Sequence, residues 1–124
     1  MRLEVLEGEF AVCKVSGMHE VNLAAPWLFI GRTDAEISLV CLSAHAPLHC
    51  LAREDGWRAF RVAGQMDFGL TGVLAGLATV LAQASVSIFA LSTYDTDYIL
   101  VKKDALSKAL EALGLAGHEV EWLG

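Results

Sequence analysis

The stretch from Phe68 to Tyr94 contains no Asp, Glu, Lys or Arg, and it constrains the fold more than any other feature. An uncharged run of that length either crosses a membrane, which takes about 20 apolar residues, or supplies two successive elements of a buried core. Its flanks are Asp67 and Asp95, not the lysines and arginines that border membrane spans. Gln83-Ala84-Ser85 interrupts it, and its character changes there from Leu, Ala and Gly to Val86-Ser87-Ile88-Phe89. A buried helix followed by a buried strand accounts for all three details, so a membrane partner is not expected.

The helix is readable from Leu70, Leu74, Leu77 and Leu81, which form one stripe at i, i+4, i+7 and i+11. Ser85 and the β-branched residues after it predict a strand over Val86–Leu91. Ser92-Thr93-Tyr94-Asp95-Thr96-Asp97 is rich in side chains that bond their own backbone, and so predicts a turn. A strand over Tyr98–Lys102 follows. Asp104 then suits the N-cap of a helix burying Leu106, Ala109, Leu110 and Leu113, which Gly114 and Gly117 can end. His118–Trp122 alternates like a last strand, and Trp57–Val62 reads as a first one. The order from Trp57 is β-α-β-β-α-β: an α+β, ferredoxin-like sheet with two helices on one face.

Residues 1–56 look like a shorter version of this plan, with strands at Glu9–Val15, Leu28–Gly31 and Ile37–Leu42 around the acidic turn Arg32–Glu36. Phe29–Val40 (FIGRTDAEISLV) repeats Phe89–Val101 (FALSTYDTDYILV) with one residue's difference in length. The link from Val15 to Leu28 is too short for a crossover helix, so a stub helix or irregular segment is expected there. Glu54-Asp55-Gly56 marks the junction, giving a degenerate first half, 1–56, and a full domain, 57–124.

Composition narrows the function. Apolar residues reach 55%, charged residues only 19%, and the net charge is −6, against roughly 45–50% apolar and 25% charged in average domains. A net anion without a basic cluster is a poor candidate for neutralising phosphates, so nucleic acid is not expected as a partner. The three cysteines, Cys13, Cys41 and Cys50, cannot all pair within the chain, and Met1–Glu7 carries glutamates where a signal peptide needs an apolar stretch. A reducing, cytoplasmic setting is expected.

No nucleophile elbow, HExxH, P-loop or GxGxxG is present, so no catalytic residue and no cofactor is assigned. Cys41, His45, His49 and Cys50 are chemically suited to zinc, but their spacing fits no structural zinc pattern and Pro47 divides them, so no metal ligand is assigned. The remaining candidate is the pairing of the first helix start with the acidic turn. Thr71, Gly72 and Val73 would bring free N–H groups close to Thr93–Asp97, and helix starts favour carboxylates. Asp95 and Asp97 offer carboxylates for an ammonium or guanidinium. Donors beside acceptors suit a zwitterion such as a free amino acid; the alternative is that both aspartates only shape the turn. Arg32, at the matching turn of the first half, either contacts a ligand or is simply solvated.

Trp57–Val62, Asp67–Leu74 and Ser87–Val101 together resemble ACT-domain proteins, in particular small bacterial proteins with two ACT-like halves related to the CASTOR arginine sensors of animals. The likeness covers Trp57–Glu121 and more loosely Phe10–Leu51. The resemblance implies a non-catalytic regulatory module that binds an amino acid at an ACT–ACT interface, within a homodimer. It implies that Thr71, Gly72 and Val73 hold the ligand carboxylate, and that Thr93, Tyr94 and Asp97 hold its other end. Gly69 departs from the small hydroxyl residue expected at its position. The rival expectation is an oligomerisation or protein-docking module that takes no ligand.

Overall fold

The computed structural model describes residues 1–64 and 72–123. The chain divides into two compact units, one made of Met1–Glu7 with Arg58–Gly124 and the other of Gly8–Trp57. The first is called here the helical unit and the second the sheet unit.

The helical unit contains β1 (Arg2–Val5), the last five residues of β5 (Ala52–Val62), α1 (Val73–Gln83), β6 (Ile88–Ser92), β7 (Asp97–Lys102), α2 (Leu106–Leu115) and β8 (Glu119–Trp122). Its strands are ordered β6-β7-β5-β1-β8. From residue 58 onward the elements run β-α-β-β-α-β, the expected ferredoxin-like plan. One strand was not anticipated. β1 lies between β5 and β8, antiparallel to the first and parallel to the second. The reason is apolar alternation: Leu3 and Val5 are fully buried, while Glu4 between them turns to the other face. Residues 1–7 therefore pack as part of the helical unit.

Both helices cover one face of this sheet. Leu77 and Leu81 of α1 and Leu106, Ala109 and Leu113 of α2 meet Leu3, Val5, Phe60, Val62, Ile99 and Val101 in one core. Leu74 and Leu110 pack against it, as the stripes predict; Leu70 lies outside the described residues. Ser85 ends α1 with its backbone in the left-handed region, φ 60°. Asp104 does not cap α2: it sits in a 3-10 turn over Lys103–Ala105, and Ala105 takes the cap position without a side-chain bond. The short turn absorbs the residues that a cap at Asp104 would have made helical. Gly117, at φ 98°, closes the helix, and His118 N–H bonds back to Leu113 O.

The sheet unit is an antiparallel sheet ordered β3-β4-β2-β5, with β2 at Phe10–Val15, β3 at Leu28–Arg32 and β4 at Ile37–Leu42. Ala11, Cys13, Val15, Leu39 and Cys41 form its core, with Val21, Leu28, Ala46 and Cys50 packed against them. The expected stub between Val15 and Leu28 is a 3-10 turn over Met18–Glu20. Glu54-Asp55-Gly56, the expected junction, precedes the division between the units at Trp57 and Arg58. It lies inside β5, where the pairing with β2 slips between Phe10 and Val12 and Gly56 adopts φ 85°. An extra residue in one strand of a pair makes a bulge, and glycine permits the positive φ.

The internal repeat is closer than the sequences suggest. β3 pairs with β4 from Leu28↔Cys41 to Arg32↔Ile37, and β6 pairs with β7 from Ile88↔Val101 to Ser92↔Asp97. The two hairpins correspond residue for residue at a constant spacing (88 − 28 = 60 and 97 − 37 = 60), with no difference in length. Each is followed by a 3-10 turn at the same spacing, Ser43–His45 and Lys103–Ala105.

Candidate functional site

The acidic turn of the helical unit is built by hydroxyls. Thr93 N–H donates to Thr96 O at 2.9 Å, Thr93 Oγ1 donates to the same carbonyl at 3.2 Å, and Thr96 N–H reaches back to Thr93 Oγ1 at 3.4 Å. Thr96 is the one polar residue among the described buried positions, at 7% exposure. Its Oγ1 donates to Val62 O at 2.9 Å, which ties the turn to the finishing end of β5. A buried hydroxyl needs such a partner.

α1 starts from that same end. An eleven-residue helix descends about 16 Å at 1.5 Å per residue, and the five residues of β6 climb back about 17 Å to Ser92. Gly72 precedes the helix at φ 79° with nothing within 4 Å of where a Cβ would stand. It supplies no side-chain cap to the first turn, so the helix start presents backbone donors at the end of the sheet that carries the acidic turn.

A cavity of about 210 Å³ opens beside the turn, lined by Glu4, Arg61, Val62, Gly64, Thr93, Asp95, Thr96 and Tyr98. Phe60 and Val62, Leu3 and Val5, and Ile99 and Val101 all enter the core, so alternation puts Arg61, Glu4 and Tyr98 on the opposite face of their strands. Arg61 Nε donates to Glu4 Oε1 at 3.0 Å, and Arg61 Nη1 to Tyr98 Oη at 3.3 Å. The guanidinium lies 6.0 Å from the centre of the Tyr98 ring. The bond to Tyr98, and after it the bond to Glu4, raise the Arg61 pKa above its ordinary value despite partial burial. The cavity is thus lined by the Arg61–Glu4 pair and by the Asp95 carboxylate.

The expected site residues separate into three groups. Thr93 and Asp95 line the cavity. Gly72 and Val73 stand at the helix start, and Thr71 lies outside the described residues. Tyr94 is 75% exposed at the tip of the turn. Asp97 alternates with Ile99 and Val101 toward the helix-covered face, and its Oδ1 accepts a hydrogen bond from Ser92 Oγ at 2.6 Å. Neither Tyr94 nor Asp97 lines the cavity. Sequence reasoning missed Glu4, Arg61, Gly64 and Tyr98. The visible signal was a single charge between core residues on each of two strands, Glu4 in β1 and Arg61 in β5.

The cysteines are free, with Cys13 and Cys41 buried and Cys50 half-buried. Burial first, and then a hydrogen bond with Cys50, pushes the Cys13 thiol up to about 12; burial also raises Cys41, against the pull of Arg53. Among the described residues no group of three or more His, Cys, Asp or Glu is placed to hold a metal ion. No helix among them is long and apolar enough to cross a membrane.

Residues 52–114 match the ACT domain family, and this chain belongs to it, a family of regulatory, ligand-binding modules. A crystal structure of a protein from Agobacterium tumefaciens is 30% identical, with a TM-score of 0.85 over 99% of this chain and 93% of that one. A Vibrio cholerae protein described as of unknown function and a possible transport protein is 25% identical, with a TM-score of 0.71 over 92% of this chain and 88% of that one. The human cytosolic arginine sensor for mTORC1 subunit 1 is 36% identical over 58 residues, which make up 46% of this chain and only 18% of the sensor.

Proposed function

We propose that this chain is a non-catalytic regulatory module that binds a free amino acid at the end of the helical unit where α1 starts and the 93–97 turn sits. The observation that carries this reading is the tether from Thr96 Oγ1 to Val62 O. It holds an acidic turn at the end of the sheet from which α1 sets out with no side-chain cap. Backbone donors at Thr71, Gly72 and Val73 would hold the ligand carboxylate. Thr93, Tyr94, Asp95 and Asp97 would hold its cationic end. The likeness to an arginine sensor over 58 residues supports an amino-acid ligand.

The Gly8–Trp57 unit is, in this reading, a shortened ACT-like half, supported by the residue-for-residue match of its β3–β4 hairpin to β6–β7. A second copy of the chain would complete the site at an ACT–ACT interface, because the cavity beside the turn opens on the face opposite α1 and includes neither the helix start nor Asp97. Three free thiols fit a cytoplasmic setting.

Calorimetric titration with each common amino acid tests the reading. One of them is expected to bind to the wild-type chain and to lose affinity in Asp97→Ala and Asp95→Ala. Binding left unchanged in both variants would overturn the site.

A further inference from the structure

We propose that the sheet unit carries a site of oxidative modification: a hydroperoxide oxidises Cys50, and Cys13 then closes on it to give a reversible Cys13–Cys50 disulfide. All three cysteines of the chain converge in this unit. Cys13 in β2 and Cys41 in β4 belong to its core, and Cys50 packs against that core. The Cys13 and Cys50 thiols are hydrogen-bonded to each other, and Cys50 Sγ also donates to Pro47 O at 3.4 Å. The backbone keeps the two side by side. Leu51 N–H donates to Lys14 O at 2.7 Å, so the residue after one cysteine is joined to the residue after the other.

Strand register selects the pair. β2 and β4 match Ala11↔Cys41 and Cys13↔Leu39, so Cys13 and Cys41 are diagonal neighbours, and diagonal positions lie about 7–8 Å apart. A disulfide needs Cα atoms within about 6.8 Å and Cβ atoms within about 4.5 Å, which two strands locked in a ladder do not provide. Cys50 has no such restraint. It lies between the 3-10 turn ending at His45 and the start of β5 at Ala52, so its segment can settle to bonding distance while β2 stays fixed between β4 and β5.

Exposure sets the order of events. Cys13 and Cys41 are buried and Cys50 is half-buried, so the oxidant meets Cys50 first. The Cys50 thiolate attacks one peroxide oxygen, the O–O bond breaks, and Cys50 becomes a sulfenic acid while the other oxygen leaves, protonated, as water or an alcohol. The Cys13 sulfur then attacks Cys50 Sγ. The S–O bond breaks, and the departing hydroxide takes the Cys13 proton and leaves as water. Two thiols have lost two electrons and two protons, and the peroxide has been reduced by the same two electrons. The new bond fastens the 46–51 segment, whose Leu48 is 95% exposed, to β2.

Treatment of the reduced full chain with hydrogen peroxide at neutral pH, then alkylation in denaturant and non-reducing peptide mass spectrometry, tests the site. A Cys13–Cys50 cross-linked peptide is expected, with Cys41 recovered alkylated, and dithiothreitol should remove the cross-link. Cys13→Ala should lose the cross-link and accumulate a sulfenic acid at Cys50 that dimedone traps. Cys50→Ser should lose both products, and Cys41→Ala should keep the cross-link. Circular dichroism verifies the folding of each variant, and the wild-type peptides decide the matter without them. The proposal is overturned if peroxide leaves Cys13 and Cys50 alkylatable, or if it links Cys13 to Cys41 or one chain to another. It is equally overturned if Cys50 passes to a sulfinic acid while Cys13 stays free.

Discussion

The hairpins at 28–42 and 88–102 share one backbone and carry different side chains. Both turns are closed by a threonine at the same place, Thr33 and Thr93, bonded to the residue three positions later. At the closing position the helical unit has Thr96, whose hydroxyl is buried and bound to Val62 O, whereas the sheet unit has the exposed Glu36. One turn is tied across to β5, and the other to its own strand, where Ser38 Oγ of β4 donates to Glu36 Oε1. The flanking positions differ as well: Ser92 holds Asp97, while Arg32 has Ile37 opposite. A duplicated turn therefore gives a site only through what its variable positions hold, because the backbone bonds of the turn are satisfied internally in both copies.

The largest expected effect separates the cores. Leu81→Ala removes a fully buried side chain beneath α1, and should cost about 2–5 kcal/mol in denaturant unfolding. Leu39→Ala in the sheet unit should fall near the lower end of that range. Its core is closed by the irregular segments carrying Val21, Ala46 and Cys50, which can settle into the space more readily than a helix can. Equal costs would mean that the helices add nothing to core rigidity.

Next comes the anchor. Thr96→Val keeps the shape but leaves Val62 O without its partner, and should cost about 1–3 kcal/mol. The matching change, Glu36→Ala, should stay within about 0.5 kcal/mol. Thermal unfolding of the two variants side by side checks the contrast.

The fold was legible wherever burial has a period. The stripe of Leu74, Leu77 and Leu81 and the face of Leu106, Ala109 and Leu113 place both helices, because a helix repeats its core contact within a few residues. β1 does not stand out in the sequence, since two apolar residues in four positions signal little until the pairing with β5 and β8 is known. Gly56 reads as a breaker, but its positive φ serves a bulge inside a continuous strand. In the candidate site the turn was visible and its companions were not. Glu4, Arg61 and Tyr98 meet through cross-strand register, which a local reading of any one strand does not contain.

A smaller effect is expected from pH. Cys13 is raised from its ordinary 9.0 to about 12, so the folded chain keeps a proton that the unfolded chain has released. Its contribution is full below pH 9 and is lost as pH rises toward 12. Below pH 9, iodoacetamide should label Cys50 well before Cys13 or Cys41, which react only as thiolates and are buried. Peptide mass spectrometry of the labelled protein reads that order, and equal rates would contradict the buried placement.

The central claim is that the end of the helical unit holds a free amino acid, and a thermal-shift screen of the purified chain against the common amino acids tests it most directly. A ligand that binds only the folded state adds about 2.7 kcal/mol at a hundred times its dissociation constant, several degrees for a chain of this size. The account predicts a selective upward shift that disappears in Asp97→Ala and Asp95→Ala but survives in Arg32→Ala. A flat screen, or a shift that only Arg32→Ala removes, would contradict it.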